Sequence, residues 1–152
     1  MTIEQISWQR GGSAGSATGQ YNSFKLYMGA AAGSELTDTY EANYAAGTKT
    51  QVYATGSQIM QAGTDEWMTI TLDTPYVYNG TDNLIIELEW VGGANMFYTY
   101  MWDTGANRGL MNKTDVTSPT GTLSTSMSEL MLTESMSLEA VTFGSVKATL
   151  GN

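Results

Sequence analysis

The stretch LDTPYVYNGTDNLIIELEW, from Leu72 to Trp90, decides the fold. Read with the residues just before it, it spells strand, turn, strand. Trp67 to Leu72 alternates with period two, and Pro75, which has no backbone N–H to donate, is expected to stop ladder pairing. Asn79-Gly80 tolerates positive φ and lets the chain reverse. Leu84 to Trp90 then forms the longest uninterrupted strand signal in the protein. Leu84, Ile86, Leu88 and Trp90 fall on one face of that strand. Burying large apolar side chains is worth roughly 1.5–3 kcal/mol each, so this face is expected to be core. Glu87 and Glu89 fall on the opposite face, which is expected to stay in water. A strand that is apolar on one face only belongs to a two-layer body.

Outward from this stretch the same grammar repeats. Thr2 to Trp8 reads as a first strand and Gly11 to Gly19 as a small-residue loop. Ser23 to Met28 sets Phe24, Leu26 and Met28 against Lys25 and Tyr27. Leu36 to Tyr44 reads as an irregular crossing, Gln51 to Ala54 as a third strand and Ser57 to Gln61 as a short fourth. Beyond Gly92-Gly93, the aromatic run Met96 to Trp102 reads as a strand with large side chains on both faces. Leu110 and Met111 resume briefly, the turn-rich Asn112 to Gly121 follows, and Thr125 to Leu132 reads as a late strand. Short strands punctuated at this spacing predict an all-β fold: an antiparallel two-sheet β-sandwich, jelly-roll-like, over residues 1–132. Residues 133–152 read as a polar connector and an extra C-terminal strand, Leu138 to Leu150. In that strand Leu138, Ala140, Gly144, Val146, Ala148 and Leu150 share one parity, and Val141 and Phe143 the other.

Composition narrows the function classes. The 152 residues are 41% hydrophobic, enough for one sizeable core, but only 14% charged. A net charge of −9 repels phosphate backbones and anionic lipid, so nucleic acid is not an expected partner. No run of about 18 apolar residues suits a membrane span, and no charged-then-apolar leader is present; the chain reads as a mature or excised segment. With no cysteine and no histidine, thiol chemistry, thiolate metal sites and the commonest general base are absent. No catalytic residue and no cofactor are expected.

Five motifs carry candidate chemistry. Trp102 to Asn107 (WDTGAN) contains the Asp-Thr-Gly of aspartic-protease loops, but that chemistry needs two carboxylates sharing a proton, and no second such loop follows. A turn in which Asp103 and Asn107 satisfy their own backbone is the better reading. Asp65, Glu66, Asp73, Asp82, Asp103 and Asp115 lie at turns, where oxygens could gather around a structural Ca²⁺, without any EF-hand or repeat spacing. Glu87 and Glu89 are spaced on paper like glycosidase carboxylates, though a solvated polar face explains them more simply. Asn79-Gly-Thr and Asn112-Lys-Thr match the N-glycosylation sequon. The aromatic set around Tyr78, Tyr100 and Trp102 offers flat faces on which sugar rings could stack.

The Leu72 to Trp90 segment resembles a recurrent segment of bacterial secreted and surface β-sandwich modules. The resemblance rests on Thr74, Pro75, Tyr76, Tyr78, Asn79, Gly80, Asn83 and Leu84, and spans roughly Ser23 to Leu132. It implies an extracellular, non-enzymatic role in adhesion, glycan binding or surface assembly, and it assigns no functional residue. Of those roles, assembly has the most specific feature in the chain. Leu138 to Leu150 lies past the last strand a jelly roll needs, and a surplus strand either closes an edge at home or completes a neighbour's sheet. The expectation is head-to-tail self-assembly into a fibre, with Leu138, Val141, Phe143, Val146 and Leu150 as assembly residues and copies of the chain as partners. Glycans are the second class of partner, with Tyr78, Tyr100 and Trp102 as the binding residues.

Overall fold

A computed structural model describes residues 1–12 and 17–134. The expected strand over Leu138 to Leu150 therefore lies outside the described residues. Among the described residues eleven strands are formed, in order β1 (Thr2–Gln9), β2 (Thr18–Ala30), β3 (Thr50–Gln61), β4 (Trp67–Val77), β5 (Leu84–Glu89), β6 (Gly93–Ala94), β7 (Met101–Asp103), β8 (Gly109–Met111), β9 (Thr122–Ser124), β10 (Ser126–Ser128) and β11 (Leu130–Glu134). Among the described residues a single 3₁₀ turn at Glu41–Asn43 is the only helical piece. One antiparallel sheet runs β11-β1-β4 and the other β3-β2-β5, with β6 also pairing to β2. Ladders β7–β10 and β8–β9 flank them. The fold is the expected all-β sandwich.

The layers form because period-two alternation gives each strand one dry face. Met68, Ile70 and Leu72 of β4 meet Ile3, Ile6 and Trp8 of β1 on the inside of the first sheet, and Leu26, Met28 and Val52 face them from the second. Ile3 and Ile6 are both buried although three apart, because the β1–β4 register shifts between Ile3 and Gln5 and resets the parity. Leu72 to Pro75 lie opposite that shift, but pairing does not stop at Pro75 as expected: β4 continues through it and pairs Tyr76 and Val77 with Ile3 and Thr2.

The segment from Leu72 to Trp90 is not a hairpin. Its first strand pairs with β1 and its second with β2, so the Asn79-Gly80 turn is an arch that carries the chain from one sheet to the other. Gly80 takes the left-handed conformation at φ +80°, and Asn79 Oδ1 accepts the N–H groups of Thr81 and Asp82 at 3.0 and 3.1 Å. On the side where β3 runs directly into β4 the sheets are tied together: the Ala54 N–H donates to Asp73 Oδ2 at 3.0 Å. The opposite side, between β5 and β11, has no such tie among the described residues.

Three further expectations are corrected. Gln51 to Gln61 is one long strand rather than two, carried past Gly56 by pairing with β2 on either side of it, Ser57 with Asn22 and Thr55 with Phe24. The aromatic run is a strand only from Met101, because Asn95 at φ +57° turns the chain across the end of the sandwich, where Tyr98 O and Tyr100 N bond to Gly11 and Gln9. Phe97 plugs that end. Finally, the Leu84, Ile86, Leu88 and Trp90 face is only half covered; Leu84, Ile86 and Leu88 pack against the core from an edge, and Trp90 is 40% exposed.

Candidate functional site: an apolar groove between two open strand edges

Among the described residues each sheet ends in a strand with one unpaired side: β5 pairs with β2 alone, and β11 with β1 alone. Their inward residues are set by register. Leu84, Ile86 and Leu88 stand opposite Ala30, Met28 and Leu26, and Leu130 and Leu132 opposite Trp8 and Ile6. Between the two edges lies a groove of about 600 Å³, lined chiefly by Leu84, Ile86, Leu130 and Leu132, with Met127 and Trp102 at its flank. Trp102 and Met127 are cross-strand partners in the β7–β10 ladder, which places that ladder beside the opening. The groove therefore offers apolar walls together with rows of N–H and C=O groups that no described residue pairs, the two things an added strand needs.

The outer face of β5 is polar but not solvated in the way the sequence suggests. Glu87 and Glu89 stand opposite Tyr27 and Lys25 of β2, and the loop carrying Glu41, Tyr44 and Lys49 folds over them. The Glu87 side chain is only 11% exposed; it accepts from Tyr44 Oη at 3.0 Å and from Lys49 Nζ at 3.0 Å. Lys49 also reaches Glu41 Oε1 at 2.6 Å and sits 4.7 Å from the ring centre of Tyr27 and 5.1 Å from that of Tyr44. Gly29 makes this possible, since a Cβ there would stand 2.6 Å from Tyr44 Cδ1. Glu89 is held more loosely, by Tyr27 Oη at 3.4 Å and Lys25 Nζ at 3.9 Å.

These contacts shift the titrations. Burial, and then the neighbouring Glu87 carboxylate, raises the Glu89 carboxyl above its ordinary value. Burial, followed by Glu87, pushes the Tyr44 hydroxyl far above the usual phenol range. Burial works against the Lys49 ammonium, but its hydrogen bonds to Glu41 and Glu87 outweigh that and raise it. Three carboxylates thus share two ammonium groups on this face.

The residues singled out from sequence are scattered. Tyr78 O accepts at the start of β1, from the Met1 amino group, whereas Tyr100 N bonds to Gln9 O at its end. Eight residues of strand separate these points by about 26 Å, so Tyr78 and Tyr100 form no common platform. The Tyr78 hydroxyl is spent on Asp82 O at 2.7 Å and the Tyr100 hydroxyl on Asp65. Trp102 alone of the three is freely presented, 61% exposed beside the groove. At both sequons the amide nitrogen is engaged, Asn79 Nδ2 with Asp82 Oδ2 and Asn112 Nδ2 with Thr120 O. Asp103 accepts from the Gly105 N–H at 2.9 Å, the expected turn, and that bond holds its carboxyl below the usual range. Among the described residues no three acidic side chains gather into a metal-binding group. The assembly residues Leu138, Val141, Phe143, Val146 and Leu150 lie outside the described residues.

Sequence reading missed the groove and the Lys49 cluster. Both arise from which strands become neighbours, and the one available signal was a pair of acids embedded in the most apolar strand of a chain with six basic residues. Comparison with protein-family models, with curated proteins and with solved structures finds no match to this chain.

Proposed function

We propose that the protein is a non-catalytic structural subunit that self-assembles by strand addition, residues 138–150 of one copy entering the groove of the next. The observation that supports this most is the groove itself: two edges, β5 and β11, that no other described strand pairs, on either side of a gap of about 600 Å³ with largely apolar walls. An exposed edge invites pairing by another chain, and an apolar trench beside it rewards a strand with side chains to bury. The alternating segment Leu138 to Leu150 has that pattern. Because donor and acceptor are different surfaces, the contact does not close on itself, and repetition produces a fibre. An extracellular location fits the low charge and the hydroxyl-rich surface. Negative-stain microscopy and light scattering on the full chain and on a chain lacking residues 138–152 test the proposal. Filaments from the first and a stable monomer from the second support it. A full chain that stays monomeric at high concentration, with the deletion lowering its thermal stability, assigns the segment to its own sandwich.

A second reading, a carbohydrate-binding or adhesive surface module, is favoured by the exposure of Trp102. A glycan array on which binding is lost in Trp102→Ala would support it; a blank array removes it.

A further inference from the structure

The groove has two open edges, and its outer faces differ in charge. On the side of each sheet away from the core, β11 places the uncharged Met131 and Thr133 and β5 places Ile85, Glu87 and Glu89, with Glu87 covered by the Glu41–Lys49 loop; Glu134 stands exposed at the end of β11. The incoming segment is asymmetric in the same way. Apart from Thr142 its even positions, from Leu138 to Leu150, are small or aliphatic, whereas its odd positions are Glu139, Val141, Phe143, Ser145, Lys147 and Thr149. A gap bounded by Leu84, Ile86, Leu130 and Leu132 suits the even set, in which Gly144 permits close backbone approach or a bulge. The odd set then faces outward, in the plane of Ile85, Glu87 and Glu89.

Resting on the assembly reading above, we infer that the donated segment pairs with β5 rather than β11, and runs parallel to it with Phe143 beside Ile85 and Lys147 beside Glu89. Direction follows from spacing. Ile85 and Glu89 are four residues apart and in the same order as Phe143 and Lys147, so parallel pairing satisfies the apolar and the charged neighbour together. Antiparallel pairing with Lys147 at Glu89 sets Gly151 at Ile85; with Lys147 at Glu87 it sets Thr149 there. Charge supports the same register, because among the described residues Glu41, Glu87 and Glu89 share only Lys25 and Lys49, and Glu89 is the acid whose cation is farthest away, at 3.9 Å. A third ammonium at Glu89 balances the face.

Charge reversal in the full chain tests this. Lys147→Glu should raise the concentration needed for assembly by about fivefold to thirtyfold, as expected when a cross-strand attraction becomes a repulsion. Lys147→Arg should leave it unchanged. Adding Glu89→Lys to Lys147→Glu should restore it, while Glu89→Lys alone should weaken assembly; thermal melts of each monomer separate these effects from misfolding. To avoid clustering lysines, an equimolar mixture of Lys147→Gln and Glu89→Gln chains supplies a second readout, since only interfaces joining an intact Lys147 to an intact Glu89 should persist. Reversal without effect, in a chain whose assembly still needs residues 138–152, overturns the register and leaves the assembly reading standing. A full chain that never assembles overturns both.

Discussion

Replacing Lys49 by Met removes the ammonium but keeps most of the stem, and the structure sets the size of the loss. Lys49 holds Glu41, whose side chain is 73% exposed, and Glu87, whose side chain is 11% exposed. The exposed pair is worth about 0.5 kcal/mol or less. Breaking a fully buried pair costs roughly 3–5 kcal/mol by stranding the other charge. Glu87 keeps the Tyr44 hydroxyl at 3.0 Å and Lys49 is partly wet, so about half of that range applies. Loss of the ring contacts to Tyr27 and Tyr44 adds about 0.5–1 kcal/mol. The expected total is about 3 kcal/mol. Glu87→Gln should cost only about 1 kcal/mol, because Lys49 retains Glu41 and the amide oxygen can still accept from Tyr44. In the double variant no carboxylate is stranded at position 87, so its loss should fall short of the sum by about 1.5 kcal/mol. Urea unfolding followed by tryptophan fluorescence at neutral pH measures all three. A cost for Lys49→Met below about 0.5 kcal/mol, or strict additivity, would refute the claim that Glu87 is a buried, cation-dependent charge.

The same cluster sets the pH response. Lys49 is raised in the fold, so its contribution is complete below its unfolded value near 10.5 and is lost as pH rises through the folded value. The fold also disfavours ionised Tyr44, so stability falls further once the unfolded phenol ionises above 10.0. Melting temperatures should drop steeply above that pH, and less so in Lys49→Met. Glu89, raised in the fold, acts in the acid range: its carboxylate is a liability at neutral pH that is relieved as pH falls towards its unfolded value of 4.5. Glu89→Gln should therefore raise the neutral-pH melting temperature slightly and flatten that part of the profile. Gly29→Ala should destabilise by about 2 kcal/mol in the same urea assay, because its Cβ meets the Tyr44 ring at 2.6 Å and Thr48 O at 3.1 Å.

Strand identity was legible wherever one residue's chemistry was decisive. Alternation from Trp67 to Leu72 gave β4, and Asn79-Gly80 marked the turn. What alternation cannot carry is which strands pair. Leu72 to Trp90 has the form of a hairpin, yet its two halves belong to different sheets, and that partition leaves Leu84, Ile86 and Leu88 half covered. Glu87 and Glu89 were read as a wet face because the partner that covers them, the loop from Glu41 to Lys49, has little periodic signal of its own. The run from Met96 to Trp102 has strong strand propensity, but the left-handed turn at Asn95 sets its course. Of the candidate site, the donated segment was visible in sequence as a surplus alternating run; the groove was not, since its walls come from β5 and β11, separated by more than forty residues of chain.

The central claim, that residues 138–150 of one copy occupy the β5 edge of another, is tested most directly by cross-linking. The chain has no cysteine, so single thiols report cleanly. One full-length variant carries Ile85→Cys on β5 and a second carries Ser145→Cys in the donated segment; the two are mixed under assembly conditions and treated with a short bifunctional thiol reagent. A covalent dimer containing one copy of each variant is predicted, stronger than either variant gives alone. No mixed dimer, together with an internal cross-link when both cysteines are placed in one dilute chain, would show that the segment completes its own sandwich and would contradict the account.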